Sequence, residues 1–257
     1  MKPILLVACA CLTAGCAAAH PGAVVEGPAP WETAEGRHVA RLGMAEQLIE
    51  AQNPRQALVV LAAAREEEGG SVALDVMQAR AWLALGMVGE ASAALDAWLD
   101  HPPKQAEYWR VLGLVRFDQE RVPEAEEALR RALEIDPRDY EANNNLGFLL
   151  LSLGRQEEAL THLRAAISVR PDEPRARNNL GFALAALERD EEALDAFRTT
   201  GPEAEALARV GLACERRGDM DEARSWYRRA LDADPRQPIA VEALGRVEPP
   251  PDGETPP

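Results

Sequence analysis

A period of 34 residues constrains the fold of this chain more than any other feature. Eight positions, mostly small or apolar, recur as Trp109, Leu112, Gly113, Arg116, Ala125, Leu129, Ala132 and Pro137, as Asn143, Leu146, Gly147, Leu150, Ala159, Leu163, Ala166 and Pro171, and as Leu207, Val210, Gly211, Cys214, Ala223, Tyr227, Ala230 and Pro235. The first four positions form one stripe of a helix, and the proline ends a second helix. A single unit of this kind cannot bury its apolar face, so the period predicts a stack of helix pairs.

The spacing of these eight positions resembles that of the tetratricopeptide repeat (TPR), a family in which each unit folds into two antiparallel helices, A and B. The resemblance implies an all-α, right-handed superhelical solenoid whose inner groove is lined by helix A. Weaker copies precede the clear ones, and a shortened unit precedes the last copy. We therefore predict six repeats and a C-terminal capping helix, with the bounds 38–71, 72–105, 106–139, 140–173, 174–203, 204–237 and 238–247.

The N-terminus resembles the signal of a bacterial lipoprotein. The opening MK precedes the short apolar run PILLVACACLTA, and small residues follow, which are the marks of a secretory signal. The segment LTAGC, which ends at Cys16, resembles a lipobox whose leucine lies one position early, and this likeness implies cleavage before Cys16 and lipidation of its sulfur. Two alternatives remain open. One is lipidation at Cys9, which matches the letter pattern better but leaves a very short apolar region. The other is an ordinary signal peptide without a lipid.

These features predict four segments. Residues 1–15 are expected to be the lipoprotein signal peptide, and residues 16–37 the lipidated cysteine with a flexible tether that spans roughly 25 Å. The solenoid follows at 38–247, and the proline-rich acidic tail at 248–257 is expected to be disordered. Because Ala17 rather than aspartate follows Cys16, the lipoprotein sorting rule implies the periplasmic leaflet of the outer membrane.

Composition and motifs argue against catalysis and against nucleic-acid binding. Acidic residues outnumber basic ones by 43 to 28, which gives a net charge of −15, whereas phosphate contacts need a basic surface. The chain has no phosphate-binding glycine loop, no HExxH and no GxSxG, and its four histidines are scattered. We expect Cys214 to be a core residue. We predict no enzymatic activity, no cofactor, no metal site and no small-molecule substrate.

The candidate binding site is the groove formed by helices A of repeats three to five. Its predicted residues are Arg110, Phe117, Asn144, Asn145, Phe148, Arg175, Asn178, Asn179 and Phe182. An asparagine offers a donor and an acceptor to the backbone of an extended peptide, and an aromatic ring offers apolar area. The alternative is that the asparagines are common consensus residues and that the phenylalanines pack between repeats. The net acidity leads us to expect basic residues in the bound segment.

A partial likeness to the carboxylate clamp of co-chaperone TPR proteins does not extend to the full set. Arg110, Asn145 and Arg175 fall at three clamp positions, but Leu114 and Asn179 replace the other two. We therefore do not predict recognition of a free C-terminus.

The layout of lipobox, tether and about six repeats is similar to two families, the pilotin-type lipoproteins of type IV pilus biogenesis and the TPR lipoproteins of tight-adherence (Flp) pilus assembly. This likeness implies a non-catalytic, membrane-anchored periplasmic scaffold that assists the assembly of a pilus or secretion machine. The alternative is an adaptor that recruits or regulates peptidoglycan-remodelling enzymes. Both hypotheses need only a peptide-binding solenoid on a lipid, so the sequence leaves the choice open.

Overall fold

A computed structural model describes residues 33–247, and this part of the chain is entirely α-helical, without a strand. Its helices are α1 (Ala34–Glu50), α2 (Pro54–Glu68), α3 (Val72–Ala84), α4 (Val88–Asp96), α5 (Ala106–Asp118), α6 (Val122–Ile135), α7 (Tyr140–Ser152), α8 (Gln156–Val169), α9 (Pro174–Ala185), α10 (Asp190–Arg198), α11 (Glu203–Arg217), α12 (Met220–Ala233) and α13 (Pro238–Val247). No helix in this range is both long and apolar enough to span a bilayer. The predicted signal peptide, Cys16 and the acidic tail lie outside the described residues.

The helices form six consecutive pairs, one for each predicted repeat. The odd-numbered helices from α1 to α11 are the A helices, the even-numbered helices from α2 to α12 are the B helices, and α13 packs against both helices of the last pair. Helix α10 of the shortened fifth repeat has only 9 residues, against 14 in each of α8 and α12. The chain therefore folds as an all-α solenoid of helix pairs.

The first helix begins earlier than the sequence predicts. Helix α1 starts at Ala34, inside the segment 16–37 that was expected to be a flexible tether. Thr33 explains the start, because its side-chain oxygen accepts a hydrogen bond from the Gly36 amide at 3.0 Å and so caps the helix. Glu35 adds a negative charge to the first turn, where it favours the helix dipole.

A glycine recurs seven residues after the start of each of repeats three to six, and it lies where helices A and B of that repeat cross. A Cβ atom on Gly147 would lie 2.6 Å from Cγ of Leu163, and one on Gly181 would lie 2.5 Å from the Phe197 ring. Gly211 has the same relation to Tyr227, at 2.7 Å. The missing side chain thus lets α7, α9 and α11 each accept a large residue from the following helix B.

Each turn from helix A to helix B contains one residue with a positive φ angle. These residues are Gln52, Gly86, Glu120, Gly154, Glu188 and Gly218, with φ between 58° and 95°. Glycine adopts this left-handed conformation without a Cβ penalty. The recurrence of the same backbone conformation, including at three residues that are not glycine, shows that the turn geometry belongs to the repeat rather than to one residue type.

Contacts between repeats give the solenoid an inner and an outer surface. Each helix A from α1 to α9 has its backbone close to that of the A helix of the next repeat, whereas among the described residues the backbones of successive B helices lie further apart. Long side chains still join some of the B helices, as in the ion pairs of Arg130 in α6 with Glu158 in α8 and of Arg229 in α12 with Glu191 in α10. The A helices are therefore the more closely spaced row, and they form the inner surface on which the candidate groove lies.

Candidate functional site

The predicted asparagines of the groove bond to other parts of the solenoid. Asn144 is only 5% exposed, and its Oδ1 accepts a hydrogen bond from Nδ2 of Asn179 at 3.0 Å. Oδ1 of Asn178 accepts from the Thr200 hydroxyl at 2.7 Å and from Nη1 of Arg209 at 2.6 Å. These bonds join α9 to its neighbours α7 and α11, so the amide oxygens of Asn144 and Asn178 are already used within the protein.

Asn145 is half-buried, whereas Asn144 beside it is almost fully buried. Its Oδ1 lies 3.4 Å from Nδ2 of Asn144, a long hydrogen bond within one helix. Asn145 therefore does not join two repeats through this contact.

The two predicted arginines are also paired with carboxylates of the chain. Nε of Arg110 donates to Asp139 at 3.2 Å, and Arg110 is half-buried. Nη2 of Arg175 donates to Glu141 at 2.6 Å and so links α9 to α7. The structure therefore does not bring Arg110, Asn145 and Arg175 together as a clamp with free charges.

The three predicted phenylalanines lie on the inner surface but differ in their surroundings. Phe148 is 46% exposed and meets half-buried Phe117 edge to face, with ring centroids 6.0 Å apart. Phe182 is half-buried and meets Phe197 edge to face at 5.0 Å. Phe148 is thus the predicted groove residue that presents the largest free apolar surface.

A cavity of about 440 Å³, which we call the inner pocket, opens beside Phe148 and Phe182. It is lined by Phe148, Leu151, Ser152, Gln156, Phe182, Ala186, Ala213, Arg216 and Arg217. These residues come from repeats four, five and six, so the pocket lies one repeat further toward the C-terminus than the groove predicted from the sequence. Its volume is within the range of about 300–1,000 Å³ that is typical of ligand sites.

The lining of the inner pocket contains two arginines and no acidic residue, although the chain carries a net charge of −15. Arg217 is held by three carboxylates, those of Asp190 and Glu222 at 3.0 Å and that of Asp219 at 2.5 Å. Arg216 is exposed, and its Cζ atom lies 5.3 Å from the centroid of the Phe182 ring. Within residues 33–247 the Arg216 guanidinium makes no hydrogen bond and no ion pair, so its charge is available to a ligand.

A second polar cluster lies next to the pocket around Arg217. The carboxylate oxygens of Asp190 and Glu222 and the sulfur of Cys214 lie within 4.8 Å of one another, a spacing that a metal ion can bridge. However, Arg217 pairs with both carboxylates, and burial, together with the charge of Asp190, raises the pKa of the Cys214 thiol to about 12. Because Arg217 engages both carboxylates, the cluster is an ion-pair network centred on an arginine.

The sequence prediction omitted Arg216 because it placed the groove in repeats three to five, whereas Arg216 lies in repeat six. Arg216 lies in the last turn of α11, one residue before the helix ends, and its side chain is exposed. Gln156 was missed because it lies in helix B, where a groove residue was not expected.

Solved structures of similar fold include those of three proteins. PilF of Pseudomonas aeruginosa aligns with a TM-score of 0.63 and 18% identity over 83% of this chain and 99% of its own. YrrB, described as a TPR protein with an unusual peptide-binding site, aligns with a TM-score of 0.56 and 22% identity over 72% of this chain and 97% of its own. TTC0263, a thermophilic TPR protein of Thermus thermophilus, aligns with a TM-score of 0.53 and 18% identity over 82% of this chain and 98% of its own. Comparison with curated proteins gives no significant match.

Family profiles for the same repeat match the sequence itself. The tetratricopeptide-repeat profile matches residues 76–140, 110–168 and 194–238, and a second TPR profile matches residues 149–188. These matches cover more than half of the chain, and they agree with the stacked helix pairs of the structure. The chain therefore belongs to the tetratricopeptide-repeat family.

Proposed function

We propose that this protein is a non-catalytic scaffold that binds a segment of a protein partner on the inner surface of repeats four to six. The observation that carries the proposal is the inner pocket beside the exposed Phe148 ring, because an exposed aromatic next to a concave site is typical of protein recognition. The described peptide-binding site of YrrB, which shares this fold, supports the same mode of binding.

The asparagine network gives this surface a fixed shape. Hydrogen bonds from Asn179 to Asn144 and from Arg209 to Asn178 hold α7, α9 and α11 in register before any partner arrives. A preformed site loses less conformational entropy when it binds than a site that must first become ordered. We therefore assign these asparagines to the support of the groove and assign the contact with the partner to Phe148 and the pocket lining.

We further propose that Cys16 anchors the protein in the periplasmic leaflet of the outer membrane and that the bound partner belongs to a pilus or secretion machine. The lipobox-like segment LTAGC and the apolar run before it support the anchor. The combined layout of anchor, tether and repeats supports a role in the cell envelope. Fatty-acid labelling of cells that express the wild type or Cys16→Ala tests the anchor, and equal labelling of the two proteins would exclude it.

Photo-crosslinking in cells tests the binding surface. Phe148 is replaced by benzoylphenylalanine, and the matched control carries the same group at Val59, which is 68% exposed on α2. We expect a specific adduct from position 148 and none from position 59. A component of a pilus or secretion machine in that adduct supports the proposed role, a peptidoglycan hydrolase or synthase supports the adaptor alternative, and equal adducts at both positions would contradict binding at the pocket.

A further inference from the structure

We propose that the inner pocket selects a partner segment in which an apolar residue lies next to an aspartate or a glutamate. This inference rests on the proposed function, because it names the chemistry of the segment that the pocket binds. It reverses the expectation from net charge, under which an acidic protein would prefer a basic segment.

The apolar half of the recognition comes from the walls of the pocket. Phe148 and Leu151 of α7 face Phe182 of α9 and Ala213 of α11 across the cavity. Because Phe148 keeps 46% of its surface exposed, an apolar side chain that enters the pocket removes this surface from water. A charged side chain in the same place would lose its hydration without a compensating partner.

The anionic half comes from Arg216. Its Cζ atom lies over the Phe182 ring, 5.3 Å from the centroid, and no described carboxylate pairs with its N–H donors. A guanidinium binds a carboxylate through two parallel hydrogen bonds, and these are stronger than neutral ones. The cation–π contact with Phe182 also restricts the arginine before binding, so less side-chain entropy is lost when the carboxylate arrives.

Neighbouring charges explain why the selectivity is local. The net charge of −15 is spread over the whole chain, whereas the pocket lining contains Arg216 and Arg217 and no acidic residue. The adjoining carboxylates of Asp190, Asp219 and Glu222 all pair with Arg217, which offsets one of their three negative charges and is itself fully engaged by them. Charges further away are screened by salt beyond about 10 Å, so Arg216 is the charge of the pocket lining that is left for a ligand.

Selection of random short peptides displayed on phage, with the full chain as bait, tests the proposal. We expect the selected peptides to share aspartate or glutamate next to leucine, isoleucine, methionine or phenylalanine. Synthetic copies of these peptides should bind Arg216→Gln about tenfold more weakly than the wild type, as expected for the loss of a charge-assisted hydrogen bond. Because Arg216 is exposed and has no ion pair among the described residues, this variant should keep the fold, which circular dichroism verifies.

The matched control is Arg131→Gln. Arg131 also lies over an aromatic ring, 5.1 Å from the centroid of Trp109, but outside the inner pocket. Its removal should leave peptide affinity unchanged. A charge exchange completes the design, because Arg216→Glu should bind copies in which lysine replaces the acidic residue better than it binds the selected peptides themselves.

The outcomes separate this inference from the proposed function. Selected peptides that lose binding to Phe148→Ala but lack an acidic residue, or that ignore Arg216→Gln, would overturn the acidic selectivity and leave the binding surface in place. Peptides that bind Phe148→Ala as tightly as the wild type, or a selection that enriches nothing, would overturn both.

Discussion

Nδ2 of Asn179 donates a hydrogen bond to Oδ1 of Asn144 over 3.0 Å and thereby joins helix α9 of one repeat to helix α7 of the repeat before it. Asn144 is almost fully buried, so water cannot replace this bond when one partner is removed. The pair therefore contributes to the stacking of repeats four and five as well as to the shape of the inner surface.

Asn144→Ala should lower the free energy of unfolding by about 1–3 kcal/mol, because it leaves the Asn179 amide without its acceptor in a half-buried site. Urea denaturation followed by circular dichroism measures the change. Asn145→Ala is the control, since Asn145 is half-buried and makes only a long bond within its own helix. An equal loss of unfolding free energy in both variants would mean that the hydrogen bond between the repeats does not contribute measurably to stability.

Gly147→Leu should destabilise the protein by about 1–3 kcal/mol, because the new side chain overlaps Leu163 where α7 and α8 cross. The control is Gly43→Leu, since Gly43 lies in helix α1 and a Cβ atom there would meet nothing within 4 Å. That substitution should be neutral or slightly stabilising, because leucine favours a helix more than glycine does. Unfolding curves in urea compare the three proteins, and coincident curves for wild type and Gly147→Leu would contradict the assigned crossing.

His162 should make stability fall as the solution becomes acidic. Burial, together with the charge of Arg130, lowers the pKa of His162 below its ordinary value. The imidazole therefore binds a proton more readily in the unfolded chain than in the folded one. The stability that neutral His162 contributes is present above about pH 6.5 and is lost as the pH falls below that value. Free energies of unfolding from about pH 7.5 to about pH 5.5 should decline less steeply for His162→Gln than for the wild type. Parallel profiles would show that His162 does not contribute to this dependence.

Cys214 should resist alkylation in the folded protein. Its side chain has no exposed surface, and burial raises the pKa of the thiol to about 12, so the reactive thiolate is nearly absent near neutral pH. Iodoacetamide followed by mass spectrometry of the peptide around Cys214 should detect modification in concentrated urea and almost none in buffer. Rapid labelling of the folded protein would mean that α11 and α12 separate readily.

The repeat register was predictable because helices A and B of each repeat cross at one point, and the close contact there restricts the size of the residue. Gly147, Gly181 and Gly211 recur at one position, and only a very small residue fits where the two helices cross. The early start of α1 was not predictable from periodicity, because the capping bond from Gly36 to Thr33 depends on a single hydroxyl.

The candidate site was predictable only in part, because helix periodicity assigns a residue to a face but not to a partner. Asn144 and Phe148 share the inner face, yet one is buried by a hydrogen bond to the next repeat and the other remains exposed. Arg175 was predicted to be a groove residue, and its pairing with Glu141 depends on how two repeats stack, which no single repeat encodes.

The wider backbone spacing of successive B helices within the described repeats, which is bridged by exposed ion pairs such as Arg130–Glu158, has a mechanical consequence. Bending that changes the curvature of the solenoid opens or closes gaps along the outer row, while the hydrogen-bonded inner row acts as the pivot. The inner pocket takes its walls from three repeats, so its width depends on that curvature. A segment bound between Phe148 and Arg216 would therefore stiffen repeats four to six, and pulling on the solenoid would in turn alter how tightly the segment is held.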